Sequence, residues 1–174
     1  VSGEVLWKPV DSRLAIGAEV NVVQRRDSNQ EFGFDSHTTP GGTIPHVNGH
    51  LSAYYQFNNG FQANVHAGRY LAGDWGATLE VAREFNNGWL IGAFATKTNV
   101  SSTQFGEGSF DKGFFFRIPF AWILGNETKR GYSNLIRPIQ RDGGQRVVVP
   151  GRLYEAVTEP HRANVAASWG KFWK

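Results

Sequence analysis

Apolar and polar side chains alternate with a period of two along most of this 174-residue chain. That spacing belongs to strands whose two faces meet different surroundings. From Val47 to Phe57 one face carries Val47, Gly49, Leu51, Ala53, Tyr55 and Phe57, and the other Asn48, His50, Ser52, Tyr54 and Gln56. Phe61 to Leu71 sets Phe61, Ala63, Val65 and Ala67 against Gln62, Asn64, His66 and Tyr70. Trp75 to Phe85 sets Ala77, Leu79, Val81 and Phe85 against Thr78, Glu80 and Glu84. Each segment is 11 residues long. A tilted transmembrane strand needs about 9–11 residues, whereas strands of soluble proteins cluster near five or six.

The segments are punctuated by turn chemistry. Phe57-Asn58-Asn59-Gly60-Phe61 recurs 28 positions later as Phe85-Asn86-Asn87-Gly88-Trp89. Asn-Gly tolerates the positive φ that tight hairpins demand, so an up-and-down meander is expected. Further strands are expected at Leu14 to Val23, Trp89 to Thr98, Lys112 to Trp122, Tyr132 to Arg141 and Arg162 to Trp173, about eight in all. Long polar connections separate some of them at Arg25 to Pro45 and Asn99 to Asp111. Asp142-Gly143-Gly144 reads either as a loop start or as another hairpin.

The expected fold is therefore all-β, an antiparallel up-and-down transmembrane β-barrel, with residues 1–174 forming a single barrel segment. Eight strands alone close into a barrel whose own side chains nearly fill it. The segment is accordingly expected to belong to a larger barrel or a two-barrel protein. With the carboxy terminus on the periplasmic side, strand parity puts both Asn-Asn-Gly turns in the periplasm and the long loops outside, the usual asymmetry of such barrels. Phe57, Phe61, Phe85, Trp89, Trp122 and Trp173 then fall on the apolar face at the periplasmic end, an expected interfacial girdle. Arg69, Arg83, Lys97 and Lys171 share that face near strand ends, where their stems can snorkel to the headgroups.

Composition narrows the alternatives. Gly is abundant at 21 residues, aromatics make up 14% and charged residues 19%, which suits sheets and tight turns. The longest apolar stretch, Phe114 to Leu124, is interrupted by Arg117 and Pro119 and does not make a membrane helix. The absence of methionine points to a processed or excised piece. Without cysteine there is no disulfide framework or thiolate chemistry. A net charge of +3, spread along the chain, gives no basic stripe for nucleic acid.

No reactive constellation emerges. His46 and His50 lie four residues apart on one strand face, about 13 Å and too far for a shared metal ion. His50 and His66 can become neighbours across a hairpin, where hydrogen bonding in the lumen is expected. Glu80 and Glu84 are likewise about 13 Å apart, beyond glycosidase spacing. Gly-x-Ser-x-Gly is absent, and Gly106-Glu107-Gly108 lacks the lysine and helix of a phosphate loop. No catalytic residue, metal or cofactor is expected. The inward set comprises Glu19, Asn21, His50, Tyr54, Gln56, Asn64, His66, Tyr70, Glu80 and Glu84. Its hydrogen-bonding groups and rings suit a hydroxyl-rich polymer, although any water-filled or plugged barrel needs a polar inner face.

Four runs carry a family resemblance: Arg69-Tyr70-Leu71-Ala72-Gly73-Asp74-Trp75-Gly76-Ala77-Thr78, Phe105-Gly106-Glu107-Gly108-Ser109-Phe110-Asp111-Lys112-Gly113, Arg137-Pro138-Ile139-Gln140-Arg141-Asp142-Gly143-Gly144 and Trp169-Gly170-Lys171-Phe172-Trp173. Together they resemble the YjbH/GfcD-like family of exopolysaccharide- and capsule-associated outer-membrane proteins. The resemblance implies a longer protein of which this is the carboxy-terminal barrel portion, in the Gram-negative outer membrane. It implies a non-catalytic part in producing or exporting exopolysaccharide. The implied partners are outer-membrane lipid and lipopolysaccharide, further strands of the same protein or another barrel chain, polysaccharide, and periplasmic export proteins. Two other readings remain: a structural or assembly barrel that docks periplasmic partners, and an outer-membrane enzyme acting on lipid or glycan.

Overall fold

The computed structural model describes residues 1–24, 38–39, 42–43, 47–100, 110–120, 131–138 and 143–158. Their elements are β1 (Ser2–Trp7), β2 (Leu14–Val22), β3 (Thr38–Thr39), β4 (Gly42–Thr43), β5 (Val47–Gln56), β6 (Phe61–Arg69), β7 (Trp75–Glu84), β8 (Leu90–Thr98), β9 (Asp111–Pro119), β10 (Gly131–Ile136) and α1 (Leu153–Thr158). Eight of the strands form one antiparallel sheet in the order β1-β2-β5-β6-β7-β8-β9-β10. The pair β3 and β4 is a separate short ladder in the connection from β2 to β5. Sequence neighbours in the main sheet are spatial neighbours, so the chain is an up-and-down meander. Among the described residues β1 and β10 each pair on one side only, leaving the sheet open.

Register places the alternating sets in columns. Ala53, Val65, Leu79 and Ala95 lie side by side on one face, and Ser52, His66, Thr78, Thr96 and Asp111 on the other. The apolar column is the open one: Leu51 is 68% exposed, Val65 44% and Leu79 48%, while Asn48, His50, His66 and Thr78 are buried. This inverts the usual partition of a water-soluble fold, where contiguous apolar surface is covered and polar side chains face out.

The two Asn-Asn-Gly segments form matching hairpin turns. In each, glycine takes a left-handed conformation, φ 79° at Gly60 and 81° at Gly88. Phe57 N donates to Phe61 O and Phe85 N to Trp89 O, both at 2.8 Å. The second Asn of each turn accepts from the following strand, Asn59 Oδ1 from Phe61 N and Asn87 Oδ1 from Trp89 N. Both turns lie at the sheet end shared by the β1–β2 connection.

Most strands end a residue or two inside the bounds read from the pattern. The larger difference is β1, whose Gly3, Val5 and Trp7 alternate with Ser2, Glu4 and Leu6 but whose six residues are short and begin with two small side chains. The expected strand at Tyr132 to Arg141 ends at Ile136. Gly143 and Gly144 open a strap, residues 143–158, which runs back over the sheet and ends in α1 instead of making another hairpin. The expected strand at Arg162 to Trp173 lies outside the described residues, as do Trp122, His46 and the Gly106-Glu107-Gly108 loop.

Candidate functional site: the inner face and its strap

The buried polar columns of β2, β5, β6 and β7 form the inner face. At its centre Glu19 bonds His50 Nδ1 at 3.0 Å across the β2–β5 pair. Beside them Asn21 Nδ2 donates to Asn48 Oδ1 at 3.1 Å. His66 Nδ1 contacts Ser52 Oγ at 2.8 Å, and His66 Nε2 lies 3.7 Å from Glu80 Oε2. Asn64 Nδ2 donates to the same Glu80 oxygen at 3.3 Å. Towards the β6–β7 turn, the Tyr70 hydroxyl meets Thr78 Oγ1 at 2.6 Å, and Thr78 meets Thr96 Oγ1 at 2.7 Å. Tyr70 is fully buried, with its ring edge-on to His50 at 4.6 Å.

The strap closes this face. Leu71 N donates to Gln145 O and Gly144 N to Asp74 Oδ2, both at 2.9 Å, which ties the strap to the β6–β7 turn. Arg146 Nη2 donates to Glu19 Oε1 at 3.3 Å, and Arg152 pairs with the other oxygen of Glu19. Leu153 N donates to Glu4 Oε2 at 3.1 Å. Tyr154 then stacks on Tyr54, and with Ala15 and Leu6 the two rings make a small apolar cluster. Gly17 lacks the Cβ that would press on the Val5 carbonyl and the Leu6 side chain. The Lys8 ammonium lies 5.9 Å from the centre of the Tyr154 ring. Burial raises the Tyr154 phenol above its ordinary pKa and lowers that of Lys8.

One carboxylate thus holds a histidine and two guanidiniums. Glu19 is almost fully buried, and such a group is tolerated only when matched. The strap supplies that match. Several polar atoms nonetheless lack a protein partner: Asn21 Oδ1, Asn48 Nδ2, His50 Nε2 and Asn64 Oδ1. A buried polar group left unmatched costs about 1–3 kcal/mol. Among the described residues, no three His, Asp or Glu side chains cluster as metal ligands.

Of the ten inward candidates, Glu19, Asn21, His50, Tyr54, Asn64, His66 and Tyr70 are buried on this face, with Gln56 and Glu80 half-buried there. Glu84 has the same parity but sits exposed at the rim, with one oxygen 3.5 Å from Arg117 Nη2. Glu80 and Glu84 therefore serve separate partners. The girdle candidates Phe57, Phe61 and Phe85 are exposed at one level, with Trp89 half-buried. Arg83 sits between Phe61 and Phe85, 5.0 and 4.9 Å from their ring centres. Sequence reasoning missed Glu4, Asp74, Arg146, Arg152 and Tyr154. The available signal was the loss of alternation from Gly144 to Gly151, where a continued strand had been the expectation only as far as Arg141.

The fold and face define an all-β protein, a single antiparallel meander whose polar side is covered by its own chain and whose apolar side is open. The family profile described as "Exopolysaccharide biosynthesis protein YbjH" matches residues 1–159, and the chain belongs to this YjbH family. It is 34% identical over 161 residues to the "Uncharacterized lipoprotein YjbH" of Escherichia coli (strain K12). That alignment takes in 90% of this chain and 22% of the relative's length. No solved structure matches.

Proposed function

We propose that this chain is part of an outer-membrane β-barrel that takes part, without catalysis, in the production or export of exopolysaccharide. The carrying observation is the inverted partition of side chains: Leu51, Val65 and Leu79 open on one face, and Glu19, His50 and His66 buried on the other. In a bilayer the open face meets hydrocarbon, and the strands, nine or ten residues long from β5 to β9, have the length a tilted spanning strand needs. Among the described residues β1 and β10 each leave one edge unpaired, and unpaired backbone groups are not tolerated in hydrocarbon. Further strands of the longer protein supply the partners in this reading. Exopolysaccharide enters through the family description, and an envelope location is supported by the lipoprotein description of the E. coli relative.

The test is deletion of the full-length gene and complementation in its own host, with fractionation of the envelope and measurement of released polysaccharide. The protein is expected in the outer-membrane fraction, and release is expected to fall on deletion and recover on complementation. Recovery of the protein in the soluble fraction, or unchanged polysaccharide, would overturn the proposal.

A further inference from the structure

The atoms left unmatched beneath the strap have a definite pattern. One hydrogen bond joins Asn21 to Asn48. Whichever way the two amides are turned, that bond leaves one acceptor and one donor without a partner. Both side chains are essentially inaccessible, at 0% and 2% exposure, and both leftover atoms lack a partner. His50 Nε2 is in the same condition, on the far side of its ring from Glu19. Of these residues Asn21 also lines an open depression of about 240 Å³ between the strap and β1 and β2, bounded besides by Glu4, Glu19, Val149 and Arg152.

The strap treats this surface as a ligand would. It donates to Glu4, Glu19 and Asp74 in turn, through backbone N–H groups and two guanidiniums. It lays one flat ring on Tyr54. With the strap removed, those three carboxylates and Glu80 face a groove whose histidines already have carboxylate or hydroxyl neighbours. Whatever replaces the strap must bring positive charge, hydroxyl or amide groups for the Asn pair, and a flat apolar face for Tyr54.

We propose that the strap is a self-ligand, and that the groove beneath it takes a polymer containing amino-sugar units with free ammonium groups. The inference rests on the export reading and names the chemistry of the cargo. The ammonium replaces the arginines on Glu19, the hydroxyls satisfy Asn21, Asn48 and His50, and the C–H face of the pyranose replaces Tyr154 on Tyr54. A neutral polymer lacks the first of these contacts. A uronic-acid polymer is repelled by the carboxylates.

The experiment titrates the full-length protein in lipid nanodiscs with three oligosaccharide sets: glucosamine oligomers, glucose oligomers of the same β-1,4 linkage, and oligogalacturonate. It uses the wild type and the double variant Arg146→Gln, Arg152→Gln, in which the strap loses its hold on Glu19. Glucosamine oligomers are expected to bind the double variant roughly tenfold or more tightly than the wild type, since the strap no longer competes. They are expected to bind it at least about tenfold more tightly than the glucose oligomers. Adding Glu19→Gln is expected to remove the gain. Equal binding of all three sets, preference for oligogalacturonate, or no binding by the double variant would overturn the proposal. The comparison among sugars on one folded variant stands even if the Glu19 change prevents folding. Polysaccharide release in the host separates the two readings: dependence on the protein without glucosamine binding leaves export standing and this inference refuted, and binding without any dependence overturns export and with it the cargo role, leaving only the groove's preference for ammonium-bearing sugars.

Discussion

Tyr154 lies flat on Tyr54, with ring centroids 3.8 Å apart and planes inclined by 9°. The contact joins the strap's terminal helix to β5 near its Asn-Asn-Gly turn, and both rings are buried. A stacked aromatic pair contributes about 0.5–1.5 kcal/mol beyond its buried area. Tyr154→Ala therefore loosens the strap by a factor of about ten in local opening, while Tyr154→Phe keeps most of the stack. Limited trypsin digestion of the detergent-solubilised protein checks this, because Arg146 and Arg152 become the new cleavage sites. An unchanged digestion pattern would show that the ring contact does not hold the strap.

The two Asn-Asn-Gly turns look interchangeable in sequence but differ in space. A Cβ on Gly60 would meet the Glu84 carbonyl, a backbone atom, whereas one on Gly88 would meet the Pro119 ring at 3.1 Å. Both glycines have positive φ, so alanine at either costs about 1–2 kcal/mol for the left-handed conformation alone. Gly60→Ala is expected to be the more damaging, since backbone cannot step aside as a side chain can. Urea unfolding in lipid vesicles measures the difference, and equal losses would contradict it.

For the main-sheet strands from β2 to β9, identity, order and facing were legible because period-two alternation reports directly which side chain goes to which face. Val47 to Gln56 reads off unambiguously, since a slip of one residue would turn His50 outward and Leu51 inward. The strap was not legible. Gln145 to Pro150 carries no periodicity, and its partners Glu4, Glu19 and Asp74 lie far away in sequence, so nothing local announces the ion pairs. Short β1 escaped for a related reason: Ser2 and Gly3 carry little hydrophobic contrast. The resemblance to the YjbH family was legible through runs such as Arg69 to Thr78, which surround the buried Tyr70 and Asp74.

Arg83 projects on the apolar side between Phe61 and Phe85. This arrangement suits the headgroup level, where the guanidinium stays hydrated and also rests on two ring faces. Arg83→Gln is expected to cost about 1 kcal/mol, with Arg83→Lys retaining part of that. Removing Phe61 and Arg83 together should cost less than the sum of the single losses. Additive losses in the double-mutant cycle would deny the contact an energetic role.

Leu79 lies in the middle of β7, flanked by Val65 and Ala95 on the open face. In a bilayer, a charge there costs about 2–4 kcal/mol, against about 0–1 kcal/mol near the interface. Leu79→Arg should therefore depress folding into lipid vesicles strongly, whereas Trp75→Arg, at the strand end, should have a small effect. In a soluble setting an exposed Leu79 would accept arginine at almost no cost, so the contrast between the two sites reports the surrounding medium.

The most direct measurement places single spin labels at Val65 and Leu79 on one face and at Asn64 and Thr78 on the other, in the full-length protein reconstituted in a bilayer. Collision with oxygen, which concentrates in hydrocarbon, is then compared with collision by a water-soluble nickel chelate. Labels at Val65 and Leu79 should be open to oxygen and closed to nickel, and labels at Asn64 and Thr78 should not share that preference. A protein that stays monomeric in detergent-free buffer, with Val65 and Leu79 shielded from both reagents, would contradict the account.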